Sequence, residues 1–179
     1  MSSLESRKLT LEVSEFALSD LVRGASADVS HIAEQHQSKV CCFIDPSLPE
    51  KVIGDAIRLR EVLSTLLLTA LSSAQSAQIH LSVFASGERS LELDLTFEIN
   101  AGSQAKNAQL HQLPQIKKTV DLLGGDLGLE ERRDATPVFW CRFPFQRPPF
   151  TSDISAKPRA DQEHAFPVRC KYPVRILMA

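Results

Sequence analysis

The sequence predicts a two-layer α/β sandwich, with a mixed sheet and its helices on one face. Three observations carry this. Apolar residues recur at helical spacing through "LVRGASADVSHIA" and again through "IRLREVLSTLLLTA". Alternating segments come in two consecutive pairs, "QIHLSVFA" with "LELDLTFEI" and "DLGLEE" with "VFWCRFPF", which read as hairpins. Strands in runs, with helices between them, can bury both sets of apolar faces only by laying the helices on the sheet.

Taken in order, the alternation of Leu9, Leu11 and Val13 predicts a short first strand. The helix that follows presents Leu21, Val22, Ala25, Val29, Ile32 and Ala33 on one side, with Ser14 or Ser19 as its cap. "KVCCFID" is a compact apolar run before the turn "DPSLPEK" and reads as a buried strand. Gly54 and Asp55 open the second helix, where Ile57, Leu59, Val62, Leu63, Leu66, Leu67 and Ala70 form a broad apolar face. After the first hairpin, "NAGSQAKNAQLHQ" is polar and aperiodic and reads as a loop. "LPQIKKTVDLLGG" is then a short helix with Pro114 in its first turn and Gly124 at its end. The predicted order is β-α-β-α-β-β-α-β-β. From Gln146 the proline-rich, polar texture of a linker takes over, and the chain ends on the strand-like "YPVRILMA".

The bulk properties exclude several classes. A hydrophobic content of 43% with 23% charged residues fits a globular domain, and a net charge of -2 gives no overall field for nucleic acid or an anionic membrane. No apolar run reaches the roughly 20 residues that span a bilayer, and the first residues lack the apolar core of a signal peptide. Cys41, Cys42, Cys141 and Cys170 include no C-x-x-C pair, so they read as buried free thiols of a cytoplasmic protein. No histidine pair has metal-site spacing, and Arg132 and Arg133 read as solvated charges on a bend.

The stretch "IDPSLPEKVIGDAIRLREVLSTLLLTA" resembles the strand, turn and helix that precede the nucleotide-binding asparagines of the catalytic ATP-binding domain of hybrid sensor histidine kinases. Gly54, Asp55, Arg58, Leu59, Val62 and Leu63 carry the match. "KLTLEVSEFALSDLV", "KKTVDLLGGDLGLEE" and "FWCRFPF" resemble other framework segments of that domain in the same order, and "VRILMA" resembles the first strand of a receiver domain. The resemblance implies a Bergerat-type (GHKL-like) fold over residues 8–145. It also implies the end of a dimerisation helix or a linker over 1–7, a linker over 146–172, and the start of a truncated receiver over 173–179. The implied partners are the dimerisation helices and receiver of the same protein, with a partner kinase or response regulator beyond them. Nucleic acid and direct membrane contact are not expected. The implied location is the cytoplasm, or the cytoplasmic part of a membrane-bound sensor.

The polar groups of the family's site are replaced. Its helix asparagines, one turn apart, fall at Thr65 and Thr69, and the basic residue that follows them falls at Ser72. Threonine hydroxyls are shorter than amide oxygens and can bond back to the carbonyl four residues earlier. Glu61 stands where the family places Gln or His, in a region that can supply a general base. The adenine-binding Asp-x-Gly-x-Gly turn becomes "FEINAGSQA". Aligned on Gly102, Asn100 replaces the aspartate; aligned by strand parity, Ala101 does. The lid turn "LHQLPQ" holds no glycine, and the last Gly-rich turn becomes "DATP" at 134–137. Each lost charge-assisted contact removes about 1.5–3 kcal/mol, so several kcal/mol of ATP affinity should be missing while the apolar framework survives.

The expectation is therefore a degenerate nucleotide domain with a regulatory or scaffolding part in phosphorelay signalling. No catalytic residue, metal ligand or cofactor is expected, ATP and Mg²⁺ having been lost. Two alternatives stand beside it. One is a divergent but active domain using Asn100 and main-chain groups, and the other is a pocket for another ligand such as a cyclic dinucleotide.

Overall fold

The computed structural model describes residues 10–73, 77–88, 92–101, 113–132 and 136–149. Three helices and seven strands follow one another as β1 (Ser14–Ala17), α1 (Leu18–Gln35), β2 (Lys39–Ile44), β3 (Lys51–Gly54), α2 (Ala56–Ser73), β4 (Gln78–Glu88), β5 (Glu92–Asn100), α3 (Leu113–Leu122), β6 (Asp126–Glu131) and β7 (Pro137–Gln146). The strands form one sheet in the order β1-β3-β7-β5-β4-β2, with β6 also paired to β7. Only β2 with β4 is parallel, so the sheet is mixed, as the sequence predicts.

Register explains the core. Across β4, β5 and β7, Leu81 faces Ile99 and Ile99 faces Phe139; Val83 faces Phe97 and Phe97 faces Cys141; Leu95 faces Phe143 and Leu93 faces Phe145. All of these are buried. The alternate positions Glu98, Trp140, Thr96 and Arg142 form the opposite row, because successive side chains leave a strand on opposite faces. The apolar row meets Leu59, Val62, Leu63, Leu66, Leu67 and Ala70 of α2 and Leu18, Leu21, Val22, Ala25 and Val29 of α1 in one cluster. Phe97, Phe143 and Phe145 add edge-to-face contacts at centroid distances of 6.2–6.4 Å.

Both hairpins and all three predicted helices are present, but four local expectations are corrected. Residues 51–54 form a strand, β3, that the predicted order lacks; the sequence places Lys51 in a turn and Gly54 at the opening of the second helix. β3 pairs with β1 and touches β7 only at Ile53–Gln146, and a four-residue strand is too short to show a period. The first described strand begins at Ser14; Leu11 and Val13 precede it and are exposed, and Leu9 lies outside the described residues. Neither Ser14 nor Ser19 caps α1: its cap position is Ala17, without a side-chain bond, and the Leu18 amide is taken by the Glu50 carbonyl at 3.0 Å. Ile57 is 66% exposed, since it stands on the first turn of α2 away from the sheet. The predicted end of α3 holds. Gly124 has φ of 72°, and the Gly125 amide donates to the Val120 carbonyl at 2.9 Å.

A polar clamp joins the two long helices at the surface. Arg60 of α2 donates from Nε to Oδ2 of Asp28 on α1 at 2.8 Å and from Nη2 to Oδ1 at 2.5 Å, and Ser64 Oγ donates to the same carboxylate at 2.9 Å. Gly24 permits this, because a Cβ there would lie 3.1 Å from the guanidinium. Arg132, expected to be a free surface charge, pairs with Glu98. Among the described thiols, Cys141 is buried and Cys41 and Cys42 are half-buried, and none of the three is in a disulfide; Cys170 lies outside the described residues.

Two outcomes follow from this packing. Phe97→Ala should cost about 3–5 kcal/mol, read as a lower urea midpoint with little change in slope. The Asp28 carboxyl is held below its usual range, first by the Arg60 hydrogen bond. Its contribution is therefore present above the unfolded carboxyl pKa and is lost as pH falls through the folded value. The stability difference between the parent and Arg60→Ala should be small, shrink with added salt and close on acidification. A difference that grows toward low pH would contradict the clamp.

Candidate functional site

The predicted site residues of α2 lie on one stripe. Glu61 and Ser72 are exposed, Thr65 is half-buried, and Thr69 is 3% exposed. Each hydroxyl on the stripe is turned back onto its own helix. Thr65 Oγ1 donates to the Glu61 carbonyl at 2.8 Å, Thr69 Oγ1 to the Thr65 carbonyl at 2.9 Å, and Ser72 Oγ to the Leu68 carbonyl at 2.8 Å. This is the back-bonding open to threonine and serine inside helices. It holds each oxygen one bond from Cβ, against the helix surface, where an asparagine amide would reach outward.

A groove of about 210 Å³ runs between α2 and α3, lined by Glu61, Val62, Thr65, Gln115, Ile116 and Thr119. Thr65 and Glu61 share this groove; Thr69 and Ser72 do not line it. The amphipathic spacing of α3 forms its far wall, with Ile116 and Val120 buried while Gln115 stays exposed. Gln115, Ile116 and Thr119 are absent from the sequence expectation. Only the resemblance of the preceding segment to a lid pointed toward them, and no motif marked these residues individually.

Asn100 is not brought to that groove. Its neighbours in sequence, Ile99 and Ala101, are both fully buried in the core shared with α2, so Asn100 belongs to the other face of β5, in register with His80 and Val138. Strand parity thus puts Ala101, a methyl group, on the side where α2 lies. Gly102, the lid 103–112 and residues 134–135 lie outside the described residues, as do 1–9 and 150–179, on which the dimerisation-helix and receiver expectations and most of the linker expectation fall; Gln146, the expected first residue of the linker, ends β7.

Among the described residues, the side chains along α2 and the groove do not make up a donor set for magnesium triphosphate. Mg²⁺ asks for near-octahedral oxygen ligands, and along the α2 stripe only Glu61 offers a carboxylate. Among the described residues, no lysine or arginine lines the groove. The groove is also below the roughly 300–1,000 Å³ usual for small-molecule sites.

Asp55 does what the sequence suggests. Its carboxylate Oδ1 accepts from the Arg58 amide at 3.0 Å, which caps α2, and Oδ2 lies 3.5 Å from Arg58 Nε.

No family model matches the chain. The sensor histidine kinase RcsC of Escherichia coli (strain K12) is 32% identical over 87 residues, covering 49% of this chain and 9% of RcsC. GacS of Pseudomonas protegens is 23% identical over 162 residues, covering 78% of this chain and 18% of GacS. The hybrid signal transduction histidine kinase C of Dictyostelium discoideum is 28% identical over 150 residues, covering 77% of this chain and 12% of that protein. The chain therefore spans only a small part of the length of these relatives. Among solved structures, the cytoplasmic segment of histidine kinase QseC matches with a TM-score of 0.57 at 19% identity, over 80% of this chain and 83% of that one. The catalytic domain of histidine kinase ThkA matches with a TM-score of 0.56 at 19% identity, over 74% and 95%. Full-length ShkA in complex with AMPPNP matches with a TM-score of 0.60 at 17% identity, over 76% and 32%. Relatives in sequence and neighbours in fold together identify this chain as a relative of hybrid sensor histidine kinases, built on the family's catalytic, ATP-binding type of domain.

Proposed function

We propose that this domain has kept the kinase framework and given up MgATP, and that it serves as a regulatory or scaffolding module in two-component signalling. The observation that carries the reading is the α2 stripe. Three hydroxyls at the family's polar positions are spent on the helix's own carbonyls at 2.8, 2.9 and 2.8 Å. A positioned base needs a positioned phosphate, and Glu61 has no metal-binding amide beside it. Natural partners for such a module are the dimerisation helices and receiver of the same protein, or a response regulator. ThkA has been solved in complex with the response regulator TrrA, which supports that kind of contact for a domain of this fold. The absence of a membrane-length apolar helix among the described residues agrees with a module working beside the membrane or away from it.

A second reading is favoured by one observation. Among the described residues no side chain fills the groove beside Thr65, so a ligand other than MgATP has somewhere to go.

Calorimetry with ATP and ADP, each with Mg²⁺, should give no saturable heat at millimolar nucleotide. Saturable binding in the micromolar range would overturn the main reading. A melting panel that includes cyclic dinucleotides tests the second, because any ligand of the folded state raises the transition temperature.

The environments of the two threonines also differ in a testable way. Thr65→Asn at the groove should change stability by no more than about 0.5 kcal/mol. Thr69→Asn, which buries an amide, should cost about 1–3 kcal/mol in urea unfolding.

A further inference from the structure

One polar contact lies outside the groove and outside the functional reading above. The amide of Glu12 donates to Oδ2 of Asp55 at 3.0 Å, across 43 residues of sequence. The Asp55 side chain is 2% exposed, and its other oxygen caps α2 through the Arg58 amide. A single buried carboxylate therefore holds two things at once: the segment that leads into β1, and the first turn of the helix that carries Glu61 and Thr65.

That segment is lightly held. Leu11 and Val13, on either side of Glu12, remain 42% and 60% exposed. Beneath them is a cavity of about 180 Å³, whose walls include Gly54, Asp55, Leu59 and Phe145. Leu59 belongs to α2, and its amide takes the Asp55 carbonyl at 3.1 Å. The segment thus meets the start of α2 through a hydrogen bond and through a shared, incompletely filled apolar space.

We propose that residues 10–13 form a strap whose attachment to the buried Asp55 carboxylate holds the first turn of α2, so that lifting the strap loosens that turn. The physical reason is that one carboxylate serves both donors, each through its own oxygen. With the strap in place, the carboxylate is shielded and each oxygen is committed to a defined donor. With the strap lifted, water reaches Oδ2 and the carboxylate can turn away from the Arg58 amide. Coupling of this kind is reciprocal: what frays the cap also releases the strap. Tension or rotation in the chain before residue 10 would then be felt at the start of α2. The proposal holds whether or not the groove takes a nucleotide, so its failure and that of the functional reading are separate results.

Hydrogen–deuterium exchange of the full chain, resolved by residue, tests it. The double substitution Leu11→Asp and Val13→Asp alters two exposed side chains and should lift the strap without emptying the core. Exchange of the Glu12 amide should rise about tenfold, and that of the Arg58 and Leu59 amides should rise with it by a comparable factor, while the amides of Val29 and Leu66 stay as in the parent. Asp55→Asn supplies the complementary arm. Asparagine caps helices about as well as aspartate, so the cap group itself is kept while Glu12 loses its carboxylate, and the Arg58 amide should exchange faster together with Glu12. A double variant in which Glu12 exchanges faster but Arg58 and Leu59 do not would overturn the coupling. So would an Asp55→Asn variant in which Glu12 stays as protected as in the parent.

Discussion

The seating of α2 on the in-register apolar rows of β4, β5 and β7 is the contact on which everything else depends. Leu63, Leu66 and Leu67 are fully buried against a sheet face built from Leu81, Val83, Leu95, Phe97, Ile99 and Phe143. Because strand side chains alternate with period two, a one-residue slip of β5 would turn Phe97 and Ile99 outward and bring Glu98 and Asn100 in. Register is therefore strongly specified by burial alone. The same register decides that Asn100 cannot share a face with Thr65.

Around that core, polar groups act as fasteners. Asp28, Arg60 and Ser64 join α1 to α2, Asp55 caps α2 and receives the Glu12 amide, and Arg132 holds Glu98 between β6 and β5. Exposed fasteners of this type add little individually. Asp55 differs because it is buried, so each of its lone pairs must be met. The family's fold needs the apolar rows and these fasteners. Nucleotide chemistry needs outward-reaching amides, a carboxylate and phosphate donors, which are separate demands on separate side chains. That separation is why a domain can retain the architecture while its α2 stripe turns inward onto its own carbonyls.

Legibility followed the length and regularity of each signal. The long helices and both hairpins could be read because their periods repeat over many residues, and Gly124 marked the end of α3 by the left-handed backbone it alone tolerates without cost. β3 could not be read: four residues after a proline turn carry no period, and it is a strand because β1 lies beside it. Leu11 and Val13 alternate like a strand but find no sheet partner among the described residues. In the groove, Thr65 and Glu61 were reachable from their place in a recognised segment. Gln115 and Thr119 were not, since they line the groove only because α3 packs across α2.

The sequence by itself determined the layer arrangement, the mixed hairpin-rich sheet and the threonines that stand where the resembled family carries its helix asparagines. Those are properties of composition and period, and they survive any rearrangement of neighbours. Tertiary structure alone decided which side of β5 carries Asn100, that Thr69 is enclosed while Thr65 borders an open groove, and that Asp55 meets the amide of a residue 43 positions away. Burial and long-range hydrogen bonding depend on what packs against a side chain, and no local pattern records that.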